Sequence, residues 1–91
     1  MLYMVIENFR EAGGVAVYRR ARDRGRLLPA GLEYVSSWVD LDFRRCFQLM
    51  ETDDPNLLEL WMAQWRDLVE FEVVPVLSSA DYWASVQPSS V

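Results

Sequence analysis

The stretch L-E-Y-V-S-S-W-V-D-L-D-F-R-R-C-F-Q-L-M-E, residues 32–51, decides the fold. Its two halves are rich in β-branched and aromatic residues, and a short turn at 41–43 separates them. The pattern predicts a β-hairpin with strands at 32–40 and 44–51. A three-residue loop would pair Asp40 with Arg44, Trp38 with Cys46, Ser36 with Gln48 and Tyr34 with Met50, and paired residues share a face of the sheet.

One strand and one helix are predicted before this hairpin. Residues 2–8 form an apolar, β-rich run typical of a strand. Residues 11–24 lack strand alternation and indicate a helix, although Gly13 and Gly14 weaken its first turn. Gly25 stands where a glycine commonly ends a helix.

A second helix and a last strand are predicted after the hairpin. Asp54 and Pro55 suit the start of a helix that runs to about Val69. Apolar residues recur in it at spacings of three and four, at Leu57, Leu58, Trp61, Trp65 and Leu68. Residues 71–77 form the last strand, and Pro75 places that strand at a sheet edge because proline cannot donate to the ladder.

The order βαββαβ predicts an α+β fold of the ferredoxin-like type. Four strands would form one antiparallel sheet with two helices on one face. The helix side was expected to be the more apolar face, carrying Leu2, Met4, Ile6, Val35, Val39, Phe47 and Leu49. The opposite face would carry Tyr3, Val5, Glu7, Tyr34, Ser36, Trp38, Cys46, Gln48 and Met50.

Length and composition predict one small domain that associates with itself. The chain has 91 residues, which suit a domain over residues 1–78 and a tail over 79–91 with a short helix. Hydrophobic residues make up 52%, more than so small a domain usually buries. A homodimer in which two sheets pack face to face, a dimeric α/β barrel, would bury the surplus.

Charge and residue types exclude several classes of function. The net charge is -5, so no nucleic acid and no anionic membrane is expected as a partner. The nine basic residues are all Arg, and the chain has no His. Schiff-base lysine chemistry and a Ser-His-Asp triad are therefore excluded, and no metal site and no cofactor is predicted.

The single cysteine and the N-terminus bear on location. Cys46 has no second cysteine in the chain with which to form a disulfide, which is typical of a reducing compartment. The apolar run at residues 1–6 stops at Glu7 without a basic start and is too short for a membrane span. A cytoplasmic location is expected.

The chain also resembles a family of small bacterial domains, domain of unknown function 3303, over roughly residues 1–80. The resemblance lies in M-L-Y-M-V-I-E (1–7), V-Y-R-R (17–20), G-R (25–26), L-P (28–29), G-L (31–32), S-W-V (37–39), R-C-F-Q-L-M-E (45–51), D-D (53–54), Trp61, Trp65, D-L-V (67–69) and F-E-V-V-P-V (71–76). It implies no assigned activity. By topology the family is similar to the dimeric α/β barrels, a group that includes heme-degrading enzymes and cofactor-free monooxygenases.

Six residues are candidates for binding a small, partly aromatic ligand between the two sheets of a dimer. They are Tyr34, Trp38, Cys46, Gln48, Glu7 and Tyr3. Packing across the dimer interface explains the same residues without a ligand. A carboxylate pair of Glu7 and Glu72, on neighbouring strands, would offer acid–base chemistry. The Arg-rich first helix suits a solvated surface or docking on the acidic half of a partner, and a phosphate or RNA contact is the alternative. The catalytic residues stay unknown.

Three functions follow from these patterns. The first is a dimeric barrel that binds a small ligand. The second is a structural or protein-interaction module without a ligand. The third is a small enzyme similar to the cofactor-free monooxygenases, and the sequence does not decide whether the protein is an enzyme.

Overall fold

An antiparallel four-stranded sheet forms the centre of the computed structural model, which describes residues 1–86. The elements run β1 (Leu2–Phe9), a 3₁₀ turn (Ala12–Gly14), α1 (Val15–Arg24), β2 (Glu33–Val39), β3 (Arg45–Glu51), α2 (Asn56–Ala63), β4 (Val69–Val76) and α3 (Ser79–Val86). The strand order is β2-β3-β1-β4, and all neighbours are antiparallel. The α+β ferredoxin-like fold is confirmed, and Pro75 lies on an edge strand.

The helices begin and end for local reasons that the sequence largely indicates. The Asp54 side chain accepts a hydrogen bond of 3.0 Å from the backbone N–H of Asn56, at the start of α2. Gly25 ends α1 with a φ of 71°, and its N–H bonds to the carbonyl of Ala21. α2 ends at Ala63, six residues before the predicted end, because the next turns use i to i−3 bonds such as Trp65 to Met62.

The helices cover the face that was expected to be open. Val5 and Met50 are fully buried against α2, together with Trp61 and Trp65. The covered face of the sheet consists of Tyr3, Val5, Glu7, Cys46, Gln48, Met50, Phe71 and Val73. The predicted assignment of faces was therefore wrong. Trp61 of α2 and Trp65, just after it, pack with Tyr3, Val5 and Met50 of this face in one core.

A β-bulge in β2 changes the register of the hairpin. Tyr34 pairs with Met50 as predicted, but the register shifts between Tyr34 and Ser36. Beyond the shift Trp38 pairs with Phe47 instead of Cys46, and Val39 takes the place opposite Cys46. Because one extra residue reverses the side-chain alternation, Trp38 leaves the face that carries Tyr34 and Cys46.

No helix within residues 1–86 lies over the opposite face, which is called the open face below. Its rows across the strands are Val76, Leu2, Glu51 and Glu33; then Val74, Met4, Leu49 and Ser36; then Glu72, Ile6, Phe47 and Trp38. Two rows are thus largely apolar. Trp38 is 53% exposed there.

The tail that the sequence assigns to residues 79–91 begins with α3. Residues 87–91 of that tail lie outside the described residues. Ser78 starts α3, since its hydroxyl accepts a hydrogen bond from the N–H of Asp81 at 3.0 Å. No residue of α3 is buried.

Candidate functional site

Three polar side chains lie next to one another on the covered face, where a core is expected. Glu7 pairs with Cys46 across β1 and β3, and Gln48 lies two residues along β3. All three are buried, and Glu7 is only 7% exposed. Buried polar groups cost free energy unless they find hydrogen-bond partners, so such a cluster points to a role other than packing.

Among these three residues, Glu7 has the least complete set of hydrogen bonds. Its Oε2 is buried and is the one such side-chain polar atom without a hydrogen-bond partner among residues 1–86. Burial raises the pKa of Glu7 to about 7, and the positive charge of Arg26 opposes part of that rise. Near neutral pH this carboxyl is thus divided between an acid that donates a hydrogen bond and an anion that accepts one.

Cys46 is a weak nucleophile in this position. Burial raises the pKa of its thiol to about 12, and the nearby charge of Glu7 adds to the rise. The thiol therefore stays protonated at neutral pH, and the thiolate that a nucleophilic cysteine needs is not formed. Gln48 donates from its side-chain nitrogen to the sulfur of Met50 at 3.3 Å, a weak acceptor.

Arg26 links the cluster to the connection between α1 and β2. Its guanidinium carbon lies 3.6 Å from the centre of the Tyr34 ring, a cation–π contact. Its backbone carbonyl accepts hydrogen bonds from the indole N–H groups of Trp61 at 2.9 Å and Trp65 at 3.2 Å. Trp61 of α2 and Trp65, just beyond its end, thus fix the chain at Arg26, and Tyr34 positions the Arg26 side chain.

A groove of about 330 Å³ lies between α1 and the β2–β3 end of the covered face. Cys46 and Arg26 form part of its wall, next to Val39 and to the aromatic rings of Phe9, Tyr18 and Phe43. The buried polar cluster therefore adjoins a largely apolar and aromatic space. Such a combination of an apolar cleft and a few convergent polar groups is typical of small-ligand sites.

Backbone geometry at the groove is unusual. Within residues 1–86, two non-glycine residues have positive φ: Leu27, at 61°, and Phe43, at 56°. Leu27 follows Arg26, and Phe43 lines the groove. Bulky residues rarely adopt this conformation, which costs about 1–3 kcal/mol and is concentrated at functional sites. The strain thus lies where the polar cluster and the groove meet.

Gly14 lets α1 start close to the sheet. Its φ is 62°, and a Cβ at this position would lie 2.8 Å from the Phe9 ring. A larger residue would push α1 away from Phe9 and change the wall of the groove. The Gly13-Gly14 pair, which looked only like a weak helix start in the sequence, therefore shapes the groove.

The six predicted ligand residues divide between the two faces. Five of them, Tyr3, Glu7, Tyr34, Cys46 and Gln48, lie on the helix side, and Trp38 lies on the open face. The expected site between two sheets therefore cannot contain all six. The predicted pair of Glu7 and Glu72 was wrong as well, because Glu7 pairs with Phe71, and Glu72 lies exposed on the open face.

Sequence reasoning missed Arg26 and the aromatic wall of the groove. Arg26 appeared only as one of several arginines, and Phe43 only as part of a turn. An aromatic residue in a short turn is a signal that could have drawn attention to Phe43, since turns favour Gly, Asn, Asp and Pro. Nothing local in the sequence indicates that Arg26 reaches Tyr34.

Asp67, near the end of the α2 region, owes its place to an ion pair. Arg20 on α1 donates two hydrogen bonds to its carboxylate, at 2.8 and 2.6 Å, and a third to the carbonyl of Gln64. The hydrogen bonds from Arg20 hold the pKa of Asp67 below its usual value. The pair ties α1 to the far end of the helical layer, behind the groove.

Residues 1–86 hold neither a cluster of metal ligands nor a membrane-spanning helix. No three His, Cys, Asp or Glu side chains there converge in a way that could hold a metal ion. None of the helices in that part of the chain has the length and apolarity needed to cross a membrane.

Comparison with known families identifies the chain. A model of the family "Domain of unknown function (DUF3303)" matches residues 1–90. The chain belongs to this family. No curated protein and no solved structure shows significant similarity to it. The family carries no assigned activity, so the function has to be inferred from the site itself.

Proposed function

We propose that this DUF3303 domain binds a small ligand in the groove between α1 and the covered face of the sheet. The observation that carries the proposal is the unpartnered, buried Oε2 of Glu7, whose cross-strand neighbour Cys46 lines a groove with aromatic walls. A carboxyl in this position destabilises the fold, and a ligand that supplied the missing hydrogen bond would compensate for it.

The chemistry of the groove defines the class of ligand. Phe9, Tyr18 and Phe43 line the groove and suit an aromatic or aliphatic body. Glu7 does not line the groove itself but lies opposite the lining residue Cys46, and its carboxyl suits a hydroxyl or amine donor that extends past Cys46. We therefore expect a small, partly aromatic molecule with one hydrogen-bond donor. Its place is the helix side of the sheet, and not the space between two sheets.

The test uses NMR on the ¹⁵N-labelled full chain with two probes, phenol and benzylamine. Both should shift the backbone signals of groove residues such as Gly14, Val39 and Cys46, and should leave the open face unchanged. Glu7→Gln should weaken binding of benzylamine at pH 8 by about tenfold, the cost of one charged hydrogen bond. Glu72→Gln, on the other face, is the matched control.

Two results would overturn the ligand proposal. One is a set of shifts confined to the open face. The other is equal binding by the wild-type and the Glu7→Gln chains, since the carboxyl would then contribute nothing.

The domain acts as a homodimer in this proposal, with the two open faces in contact. The support is the pair of apolar rows on that face, in which Phe47, Leu49, Met4 and Ile6 are only partly buried. Large apolar patches on a small soluble domain usually mark an interface. Sedimentation velocity at 1–100 µM, on the order of common dimer dissociation constants, would detect it.

A protein-interaction module is the second candidate function, and the same open face favours it. In that case a different protein would cover the two apolar rows. The two candidates differ in one readout, because a homodimer forms in the purified protein and a hetero-complex does not.

A further inference from the structure

Arg26 is the one charged residue on the wall of the groove within residues 1–86. The other residues that line this space are apolar, aromatic or glycine, apart from the Cys46 thiol. Glu7 does not line the groove, although its cross-strand neighbour Cys46 does. The wall therefore presents one positive charge to a molecule that enters the groove.

The Arg26 side chain is exposed and yet held in place. Its guanidinium carbon lies 3.6 Å from the centre of the Tyr34 ring, and the hydroxyls of Tyr34 and Ser37 share a hydrogen bond of 2.8 Å. The next residue, Leu27, has a φ of 61°, a conformation that persists only where the surroundings enforce it. A guanidinium fixed in this way loses less freedom when a ligand binds, so binding costs less ordering.

A comparison among the arginines shows what Arg26 lacks. In the described part of the chain, three arginines lie against an aromatic ring: Arg20 on Trp65, Arg45 on Phe47 and Arg26 on Tyr34. Arg20 also binds the carboxylate of Asp67, at 2.6 Å. Arg45 also binds the carboxylate of Asp40, at 3.3 Å. The Arg26 side chain has no such carboxylate in that part of the chain, and the hydrogen bonds from the two tryptophans end on its backbone carbonyl.

Glu7 does not take the place of that carboxylate. The charge of Arg26 acts to lower the pKa of Glu7, but burial outweighs it and raises this pKa to about 7. The Oε2 of Glu7 has no hydrogen-bond partner within residues 1–86, so the guanidinium does not reach it. The five N–H donors of Arg26 are therefore left for water or for a molecule in the groove.

The shape and charge of the guanidinium favour one kind of anion. Its planar fork of N–H groups matches the two oxygens of a carboxylate, which it binds through two parallel hydrogen bonds. One guanidinium also balances the single charge of a carboxylate. A phosphate group carries a charge of about -1.5 to -2 near neutral pH, and the excess would lie near the Glu7 carboxyl. A carboxylate is therefore the better match for Arg26.

We propose that Arg26 binds the carboxylate of an aromatic acid whose ring lies against the aromatic wall of the groove. The inference rests on the ligand site proposed above and adds a negative charge to its ligand. Together with the donor that suits Glu7, it narrows the ligand to a small aromatic acid with a hydroxyl or amino group. Tyr34 is a positioning residue, since it holds the guanidinium and does not itself line the groove.

The test compares phenylacetate with phenylacetamide, which has nearly the same shape and no charge, by NMR titration of the ¹⁵N-labelled full chain at pH 7. Phenylacetate should bind at least about tenfold more tightly, because charge-assisted hydrogen bonds are the stronger ones. Arg26→Gln should remove this advantage, and Arg26→Lys should restore only part of it, since an ammonium lacks the planar fork. Arg24→Gln is the matched control, because Arg24 is exposed on α1 and does not line the groove.

The outcomes separate the role of Arg26 from the ligand site itself. Groove signals that respond equally to phenylacetate and phenylacetamide overturn only the carboxylate contact, and so does an Arg26→Gln chain that still prefers phenylacetate. An equal loss in Arg24→Gln also overturns it, since the effect would then belong to the overall charge. Groove signals that respond to neither probe, nor to phenol, overturn the ligand site as well. Each variant should keep its fold, which circular dichroism checks, because the tryptophans bind the backbone of Arg26.

Discussion

The two faces of the sheet differ in an unexpected way: one buries polar side chains and the other exposes apolar ones. The covered face lies under helices yet contains the polar trio Glu7, Cys46 and Gln48. The open face has no helix over it in the described part of the chain, yet it carries two apolar rows. A fold selected only for stability would place these sets the other way round. The difference is what the proposed function explains, with a ligand on one side and a partner on the other.

The largest expected effect is the difference in stability between removing a tryptophan from the covered face and removing one from the open face. Trp61 is buried on the helix side and Trp38 is half exposed on the open face. Trp61→Ala should lower the free energy of unfolding by about 3–5 kcal/mol, the usual cost of deleting a buried aromatic. Trp38→Ala should cost less than about 1 kcal/mol in dilute solution, where one copy is studied alone.

Urea unfolding of both variants checks this contrast. Equal losses of stability from the two substitutions would contradict the assignment of faces.

A charge on the open face should act on association and not on folding. Phe47→Glu would place a carboxylate in the middle of the apolar rows of both copies, and we expect dimer dissociation to rise about 100-fold or more. Leu60→Glu makes the same change on an exposed leucine of α2 and should leave association unchanged. Sedimentation velocity measures both, and an unchanged Phe47→Glu dimer would show that the copies meet elsewhere.

The buried Glu7 on the covered face should make the free energy of unfolding depend on pH. Because burial raises the pKa of Glu7 to about 7, the folded chain keeps this proton at a pH where the unfolded chain has lost it. Stability from this group is therefore highest below about pH 4.5 and falls as the pH rises to about 7. The loss between pH 5 and 8 should be on the order of 1–3 kcal/mol.

Glu7→Gln should remove that loss, whereas Glu72→Gln on the open face should keep it. Urea unfolding at pH 5, 6.5 and 8 provides the measurement. A wild-type and a Glu7→Gln chain with the same dependence would mean that Glu7 is not buried as described.

The smallest effect concerns the thiol of Cys46. With its pKa raised to about 12, the folded chain should react with iodoacetamide at pH 8 at least about tenfold more slowly than the urea-unfolded chain. Rapid alkylation of the folded chain would instead place the thiol in an exposed or electropositive setting. Cys46→Ala should leave the secondary structure unchanged, since alanine fits the same buried position.

The sequence predicted the strands and helices well because their signals are local. The hairpin, the edge position of Pro75 and the helix start at Asp54 follow from residues close together in the chain. The predicted apolar stripe is confirmed as buried at Trp61 and Trp65, although α2 already ends at Ala63. These features depend on alternation, capping and turn chemistry, which act over a few residues.

The choice of faces could not be predicted in the same way. Both alternations along β1, Leu2-Met4-Ile6 and Tyr3-Val5-Glu7, are apolar enough to be covered, and counting apolar residues favoured the wrong one. Which face the helices cover depends on how its side chains pack against Trp61 and Trp65, a contact between segments distant in the sequence. The bulge at Tyr34 and Ser36 then moved Trp38 to the other face, and no local residue signals it.

The protonation of Glu7 tests the central claim most directly. The measurement is a ¹³C NMR titration of its side-chain carboxyl in the full chain, first alone and then with benzylamine. The account predicts a midpoint near pH 7 for the free chain and a lower midpoint with the amine, because a bound cation favours the ionised form. A midpoint near the ordinary value for Glu, unchanged by benzylamine, would contradict the buried, unpartnered carboxyl on which the proposed function depends.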